Sequence, residues 1–240
     1  PMLRRPFSIG GLRRSGSTSE IELIGRVVGR GTAWLNALEA GDHVDILGPL
    51  GRGFTPPPPG NKALLLAGGV GWPPIRWWGR VLRERHHDCE MIYWAQSRDT
   101  LPVRLCDDPS IEGGLSMCME EFAAWGIPAM ITTDDGSCGL KGRVTNGLLR
   151  YFTHSAHASR VSVYACGPLP MLRAAASICA KQGVPCELAM ERVMACGMAT
   201  CQSCVLPVCD QRDGAAWHYA LCCTDGPVFD AHRVAWPMLR

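Results

Sequence analysis

No apolar run in this sequence approaches the ~20 residues that cross a bilayer, and its first residues do not set a basic segment before an apolar one. A helical span and a secretory leader are therefore not expected, and the chain reads as cytoplasmic. Basic runs are missing as well. The net charge of +2 is spread along the chain, with Arg4, Arg5, Arg13 and Arg14 the only local excess, so nothing tracks a phosphate backbone and nucleic acid is not an expected partner. The polar, highly charged composition of disordered chains is absent too: 47% of residues are hydrophobic and 19% charged, which is the balance of a chain that folds. There is no internal repeat, and no low-complexity segment beyond one run of prolines.

That proline run, Pro56-Pro57-Pro58-Pro59-Gly60, can continue neither a strand nor a helix and divides two kinds of text. Before it, short strands broken by glycine are expected, at Glu20–Val28 and Val44–Leu47. After it, apolar strands at Lys62–Ala67, Glu90–Ala95, Ala129–Thr132, Val161–Ala165 and Cys186–Ala189 alternate with helical stretches at Ile75–Arg85, Val144–Phe152 and Leu169–Gln182. Such alternation implies a parallel sheet with both faces covered. Beyond Met190 the cysteine density rises and a third, small module is expected. The boundaries read as 1–58, 61–189 and 190–240.

Thirteen cysteines are too scattered for a disulfide framework, which a chain of this size in a reducing compartment does not need. Cys196, Cys201 and Cys204 stand in C-x4-C-x2-C spacing, and Cys222 and Cys223 follow after a stretch long enough to fold back. This is the plant-type 2Fe-2S pattern, in which a loop with room for Gly197 wraps three thiolates and a distant fourth closes the site. A structural zinc site is the alternative, although zinc sites usually pair short C-x2-C knuckles. Adjacent residues of an extended segment point to opposite sides, so Cys222 and Cys223 cannot both face one iron. Cys89, Cys106, Cys118, Cys138, Cys179, Cys186 and Cys209 read as small hydrophobes.

Gly68-Gly69-Val70-Gly71 follows an apolar strand and precedes Pro73-Pro74, which suit a first helical turn. Such a loop can cradle a pyrophosphate or be no more than a tight turn. Cys166-Gly167-Pro168 ends another expected strand, on the edge where ligands of open α/β sheets collect.

Taken in order, these residues resemble the ferredoxin-reductase superfamily over nearly the whole chain. Arg5-Pro6-Phe7-Ser8 is similar to its flavin signature, Gly29-Arg30-Gly31-Thr32 to its second flavin contact and Ile24-Gly25-Arg26 to a third, with Gly25 where a tyrosine is usual. Gly48–Phe54 resembles the loop that ends the flavin domain, and Leu66–Pro74 and Cys166–Pro168 the nicotinamide loops. Asp134-Asp135-Gly136-Ser137 with Gly139–Gly142, and then Glu191–Cys204 with Cys223–Phe229, resemble most the electron-transfer subunits of NAD-dependent dihydroorotate dehydrogenases.

The resemblance implies an antiparallel flavin barrel, a parallel α/β nicotinamide domain and a 2Fe-2S module. Since only four residues precede Arg5, the barrel is expected to be incomplete, to hold FAD weakly and to aggregate. It also implies that Arg5 meets the FAD pyrophosphate and Ser8 sits beside the isoalloxazine. Pro6, Phe7, Ile24, Gly25, Arg26, Gly31 and Thr32 contact the same cofactor; without it Thr32 would be a plain helix N-cap before Ala33–Leu38. Gly68, Gly69, Gly71, Cys166, Gly167 and Pro168 hold NAD. Cys223, in register with the family through Thr224–Phe229, is the fourth cluster ligand after Cys196, Cys201 and Cys204. The implied partner is an FMN-containing catalytic subunit, two copies of each chain assembling together. Two rivals stand beside this reading: a sister reductase subunit of a hydrogenase, sulfite reductase or ferredoxin:NADP oxidoreductase, and a non-enzymatic zinc-binding interaction module.

Overall fold

The computed structural model describes residues 4–155, 158–210 and 216–239. Its centre is a seven-stranded sheet. The strands are β3 (Lys62–Gly68), β4 (Cys89–Ala95), β5 (Ala129–Thr133), β6 (Leu140–Lys141), β7 (Val161–Cys166), β8 (Cys186–Ala189) and β11 (Val228–Asp230), in the spatial order β11-β8-β7-β3-β4-β5-β6. All pairs are parallel except β11 on β8. The chain leaves β3 in one direction for β4 and β5 and returns to its other side for β7 and β8. The strand order therefore reverses between β3 and β7, which is where open sheets of this kind part to admit ligands.

Leu64, Leu65 and Leu66 show why β3 is central. Alternate residues of a strand face opposite sides. Leu64 and Leu66 join the core under α4 (Val144–His154) and α5 (Leu169–Gln182), while Leu65 joins the core under α2 (Trp72–Glu84). Both faces are covered, so the strand is apolar from Ala63 to Ala67. Helix α5 stops at Gly183, whose φ of +65° is a left-handed conformation that glycine adopts without steric cost. The short α3 (Glu120–Ala124) lies on the α2 side, where Phe122 joins that core.

The N-terminal stretch is different. It contains the hairpin β1 (Ile9–Ser15) and β2 (Thr18–Leu23) and the short α1 (Arg30–Asn36). The antiparallel barrel expected here is represented, among the described residues, by this one hairpin, whose strands pair only with each other. The strand expected over Glu20–Val28 ends at Leu23, and that expected at Val44–Leu47 joins no ladder. Both departures have one cause: alternation marks a strand's faces, but a strand also needs a partner for its N–H and C=O groups. The helix expected to start at Ile75 begins three residues earlier, with Pro73 inside its first turn.

In the C-terminal stretch β9 (Val205–Cys209) and β10 (Trp217–Leu221) form the fold-back expected between the cysteines, and β11 then returns to the main sheet. Among the described residues no helix is long and apolar enough to cross a membrane.

Candidate electron-transfer site

Three groups of residues make up the candidate site. The first lies at the carboxyl ends of β3 and β7, where Ala67 pairs with Cys166. Gly71 packs so closely on the Cys166 carbonyl and the Gly167 N–H that no Cβ fits there, while Gly68 and Gly167 both abut the Met171 sulfur. The two loops thus form one surface. Gly69, with φ of +53°, has nothing within 4 Å of where a side chain would be, so open space lies before it. Pro73 and Pro74 carry no N–H, and any backbone donors at this end belong to Gly69–Trp72. Burial pushes the Cys166 thiol up to about 12, with the Glu191 carboxylate adding to it. Asp134 and Asp135 lie on the same edge. Asp134 accepts from Trp94 Nε1 at 2.9 Å, and the hydroxyl and N–H of Ser137 hold the Asp135 carboxyl below its usual range.

The second group brings together three separate segments. The Arg5 side chain lies over Gly31, its Nε 3.1 Å from where a Cβ would stand, and the Phe7 ring covers Gly25 at 3.0 Å. A tyrosine at position 25 would meet the Phe7 ring, so Phe7 supplies the aromatic surface at this place. Thr32 is not the N-cap of α1 but its third residue. Its hydroxyl accepts from the N–H groups of Val28 and Gly29 at 2.9 and 3.1 Å and donates to the Gly29 carbonyl at 3.0 Å, pinning the Gly29–Thr32 turn. The Ile24 side chain packs at 3.2 Å from the Cβ position of Gly10, while Pro6 and Ser8 are exposed. On the nicotinamide side, burial raises the Tyr93 phenol and the Arg26 charge opposes that rise, while the Tyr93 hydroxyl donates to the Gly69 carbonyl at 3.4 Å.

The third group is the cysteine loop. Cys196 Sγ accepts from the N–H groups of Met198 and Cys201, both at 3.4 Å. Gly197, Ala199 and Gln202 have φ of +75°, +67° and +53°, and two non-glycine residues in that region mark a backbone wound more tightly than an ordinary turn. Cys201 Sγ is hydrogen bonded to Ser203 Oγ at 3.2 Å, and this contact leads in pulling the thiol down to about 6. The Cys222 N–H donates to the Cys204 carbonyl at 3.0 Å. The Cys223 thiol is raised by burial and by its hydrogen bond to Cys204, and it also senses Cys196 and the Ala199 N–H. Burial pushes Cys222 up to about 12, beside Arg192 and Asp225.

Among the described residues no three metal-binding side chains converge on one point. The donor set and the N–H groups turned to sulfur fit the cluster.

The segment after the flavin residues ties to the cysteine loop and to β8. Leu50 and Leu47 lie 3.0 and 3.7 Å from the Cβ position of Gly197, so the Gly48–Phe54 loop covers the cysteine loop. The Arg52 N–H donates to the Gly226 carbonyl at 2.5 Å, and the N–H and hydroxyl of Thr55 donate to Glu187 at 2.9 and 2.6 Å. None of these links was expected from the sequence; the glycine at position 197, read as room for a cluster, is the one signal that could have pointed to the first.

Residues 191–235 match the family described as the iron-sulfur cluster binding domain of dihydroorotate dehydrogenase B. Over 236 residues, 98% of this chain and 81% of the relative, the sequence is 34% identical to the dihydroorotate dehydrogenase B (NAD(+)) electron transfer subunit of Desulforamulus reducens. The chain belongs to this family. The family's subunit from Bacillus caldolyticus is 36% identical over 237 residues, 98% of this chain and 80% of the relative. A solved structure of an NADH-dependent reduced ferredoxin-NADP oxidoreductase, studied for flavin-based electron bifurcation, superposes with a TM-score of 0.78 at 25% identity, covering 99% of this chain and 76% of that one. The flavohem-like FAD/NAD binding domain of a nitric oxide dioxygenase from Vibrio cholerae shares the fold alone, with a TM-score of 0.55 at 16% identity over 75% of this chain and 72% of that one. The family's fold is thus ferredoxin-reductase-like, with a parallel α/β domain and an iron-sulfur domain, and membership favours iron-sulfur over the zinc alternative.

Proposed function

We propose that this chain is an oxidoreductase subunit that takes electrons from a separate FMN-containing, dihydroorotate-oxidising catalytic subunit and delivers them to NAD+ in pyrimidine biosynthesis. The observation that carries this reading is the packing of the loops: the cysteine loop meets the Gly48–Phe54 loop at Gly197 and Leu50, and the two glycine loops of the α/β domain meet at Gly71 and Cys166. When bound, FAD supplies the exchange between carriers, taking electrons singly from the 2Fe-2S cluster and giving them up in pairs as hydride to NAD+.

The chain's own work is to bind and orient. Cys196, Cys201, Cys204 and Cys223 hold the cluster. Arg5 would meet the FAD pyrophosphate with its charge, Ser8 would stand beside the isoalloxazine, and Pro6, Phe7, Ile24, Gly25, Arg26, Gly31 and Thr32 would complete the flavin surface. Gly68, Gly69 and Gly71 with Cys166, Gly167 and Pro168 receive NAD, Cys166 lining the pocket as a protonated thiol. We assign flavin binding to residues 1–58, nicotinamide binding to 61–189 and the cluster to 190–240. The assembly pairs two of these chains with two catalytic subunits in the cytoplasm, where the cysteines outside the cluster stay reduced.

The test is co-expression with the catalytic partner. The complex is expected to form orotate with NAD+, and the chain by itself to reduce dyes with NADH and form no orotate. Dihydroorotate oxidation by the isolated chain would overturn the division of labour. Iron content separates the ligands: Cys223→Ser is expected to lose the cluster and Cys222→Ser to keep it, and the reverse result removes Cys223 from the set.

A further inference from the structure

Between the β1–β2 hairpin and α2 runs an open groove of about 810 Å³. Arg80 and Arg83 line it but spend their charge locally, Arg80 on Glu84 at 2.9 Å and Arg83 on the Trp125 carbonyl at 3.0 Å. Arg76 does not. Its Nη1 donates to the Gly10 carbonyl of β1 and to Glu22 Oε2 of β2, both at 2.7 Å. Its Nε and Nη2 donate to the two carboxylate oxygens of Glu121 in α3 at 2.7 and 2.6 Å. The side chain is only 16% exposed, and every contact is in the short, charge-assisted range.

The place of this fork along the chain gives it a consequence. Arg5–Ser8 ends one residue before β1, and Ile24–Arg26 begins directly after β2, so the hairpin that Arg76 grips is the common base of two flavin-contacting segments. Arg76 itself stands five residues past Gly71, on the helix that grows out of the nicotinamide loop. Its planar guanidinium spans both sides at once, which a lysine ammonium cannot do.

We infer that Arg76 is a positioning residue: it sets the approach of the flavin surface to the nicotinamide loop, and so the alignment in which hydride passes between them. The inference rests on the function proposed above. Misplacement of reacting groups by 1 Å costs roughly 100-fold in rate, so a strut between the two surfaces acts on the transfer step more than on binding.

The experiment uses the full chain in complex with its catalytic partner, loaded with FAD and cluster, and follows flavin bleaching by NADH in an anaerobic stopped-flow instrument. Bleaching of the wild-type complex secures the underlying reading, and its absence defeats that reading and this inference together. With Arg76→Lys, the limiting rate of bleaching is expected to fall about tenfold or more. The NADH concentration for half-maximal rate should stay within about twofold, because the loops at 68–71 and 166–168 are untouched. The long-wavelength charge-transfer absorbance of stacked nicotinamide and flavin should be lost, with FAD and iron per protein unchanged. An unaltered limiting rate with the absorbance band retained overturns the inference. If Arg76→Lys sheds its FAD, Glu121→Gln decides, since it weakens one side of the fork and leaves the hairpin contacts: a slower limiting rate with full FAD supports the strut, and an unchanged one overturns it.

Discussion

Every residue of β5 is buried, and every residue of β2 is exposed. Both are strands of similar length, yet one lies inside a sheet covered on two faces and the other in a hairpin that touches the rest of the molecule at a few polar points. The sheet of residues 62–189 is held by apolar area removed from water on both sides. The stretch before it is held by tethers, Arg76 on Gly10 and Glu22, Thr55 on Glu187 and Leu50 against Gly197, and by two apolar anchors, Ile24 and Phe54, that pack on the core under α2. The lesson is a division of duties, in which the sheet supplies stability and the stretch that faces FAD is placed by specific contacts that tune position at little cost to the whole.

The hardest blow to this contrast would come from the sheet itself. Leu65 is fully buried, and its Cδ1 lies 2.9 Å from where a Cβ on Gly79 would stand, so α2 and β3 are in tight apposition there. Leu65→Ala is expected to lower stability by about 2–5 kcal/mol, the cost of lost apolar burial plus a residual cavity. Chemical unfolding followed by circular dichroism measures it, and a loss below about 1 kcal/mol would mean that the sheet is not where stability resides.

A pair of glycines sharpens the contrast at the next level of effect. Gly71 has an ordinary φ of −73°, so its need for glycine is one of space, against the Cys166 carbonyl. Gly71→Ala is expected to cost about 1–3 kcal/mol through overpacking and to weaken NADH binding in a fluorescence titration. Gly29, in the flavin-facing stretch, has extended backbone and nothing within 4 Å. Gly29→Ala is expected to stay within about 0.5 kcal/mol. Equal losses at the two sites would erase the distinction.

Legibility in the sequence follows the same divide. The uninterrupted apolar run Ala63–Ala67 of β3 can belong only to a strand covered on both faces, β7 is nearly as apolar, and α5 ends where Gly183 permits a left-handed turn, so these elements emerge at nearly their observed bounds. Glu20–Val28 carries equally good alternation, but alternation cannot say whether a neighbour exists to pair with, and the ladder ends at Leu23. The cysteine loop and the glycine loops are legible because their chemistry is written in spacing over a few residues. Arg76 is not, since Glu121, Glu22 and Gly10 lie 45, 54 and 66 positions away and only the folded chain brings them to one guanidinium. Leu50 over Gly197 escaped for the same reason.

The Thr55 tether carries a moderate expectation. Glu187 takes both the N–H and the hydroxyl of Thr55, and Glu187→Gln turns one of its two acceptor oxygens into a donor that faces a donor. Because Thr55 is exposed and water can substitute, a loss of about 1 kcal/mol is expected in the same unfolding experiment. A loss as large as that of Leu65→Ala would show that the proline-rich junction, rather than the sheet, governs unfolding.

The smallest effect belongs to β2. Ile21 is 47% exposed and pairs across the hairpin with Leu12, a contact of the kind worth about 0.2–1 kcal/mol on an isolated face. Ile21→Ala removes most of that pair and almost no buried area, since none of its β2 neighbours is buried, so the unfolding free energy is expected to change by no more than about 0.5 kcal/mol. The same substitution leaves Arg76 its two hairpin acceptors, Gly10 and Glu22, and should therefore also leave the rate of flavin bleaching by NADH unchanged. A loss above about 1 kcal/mol would place Ile21 against a covering surface, and the hairpin would then join the sheet as a second seat of stability rather than a positioned arm.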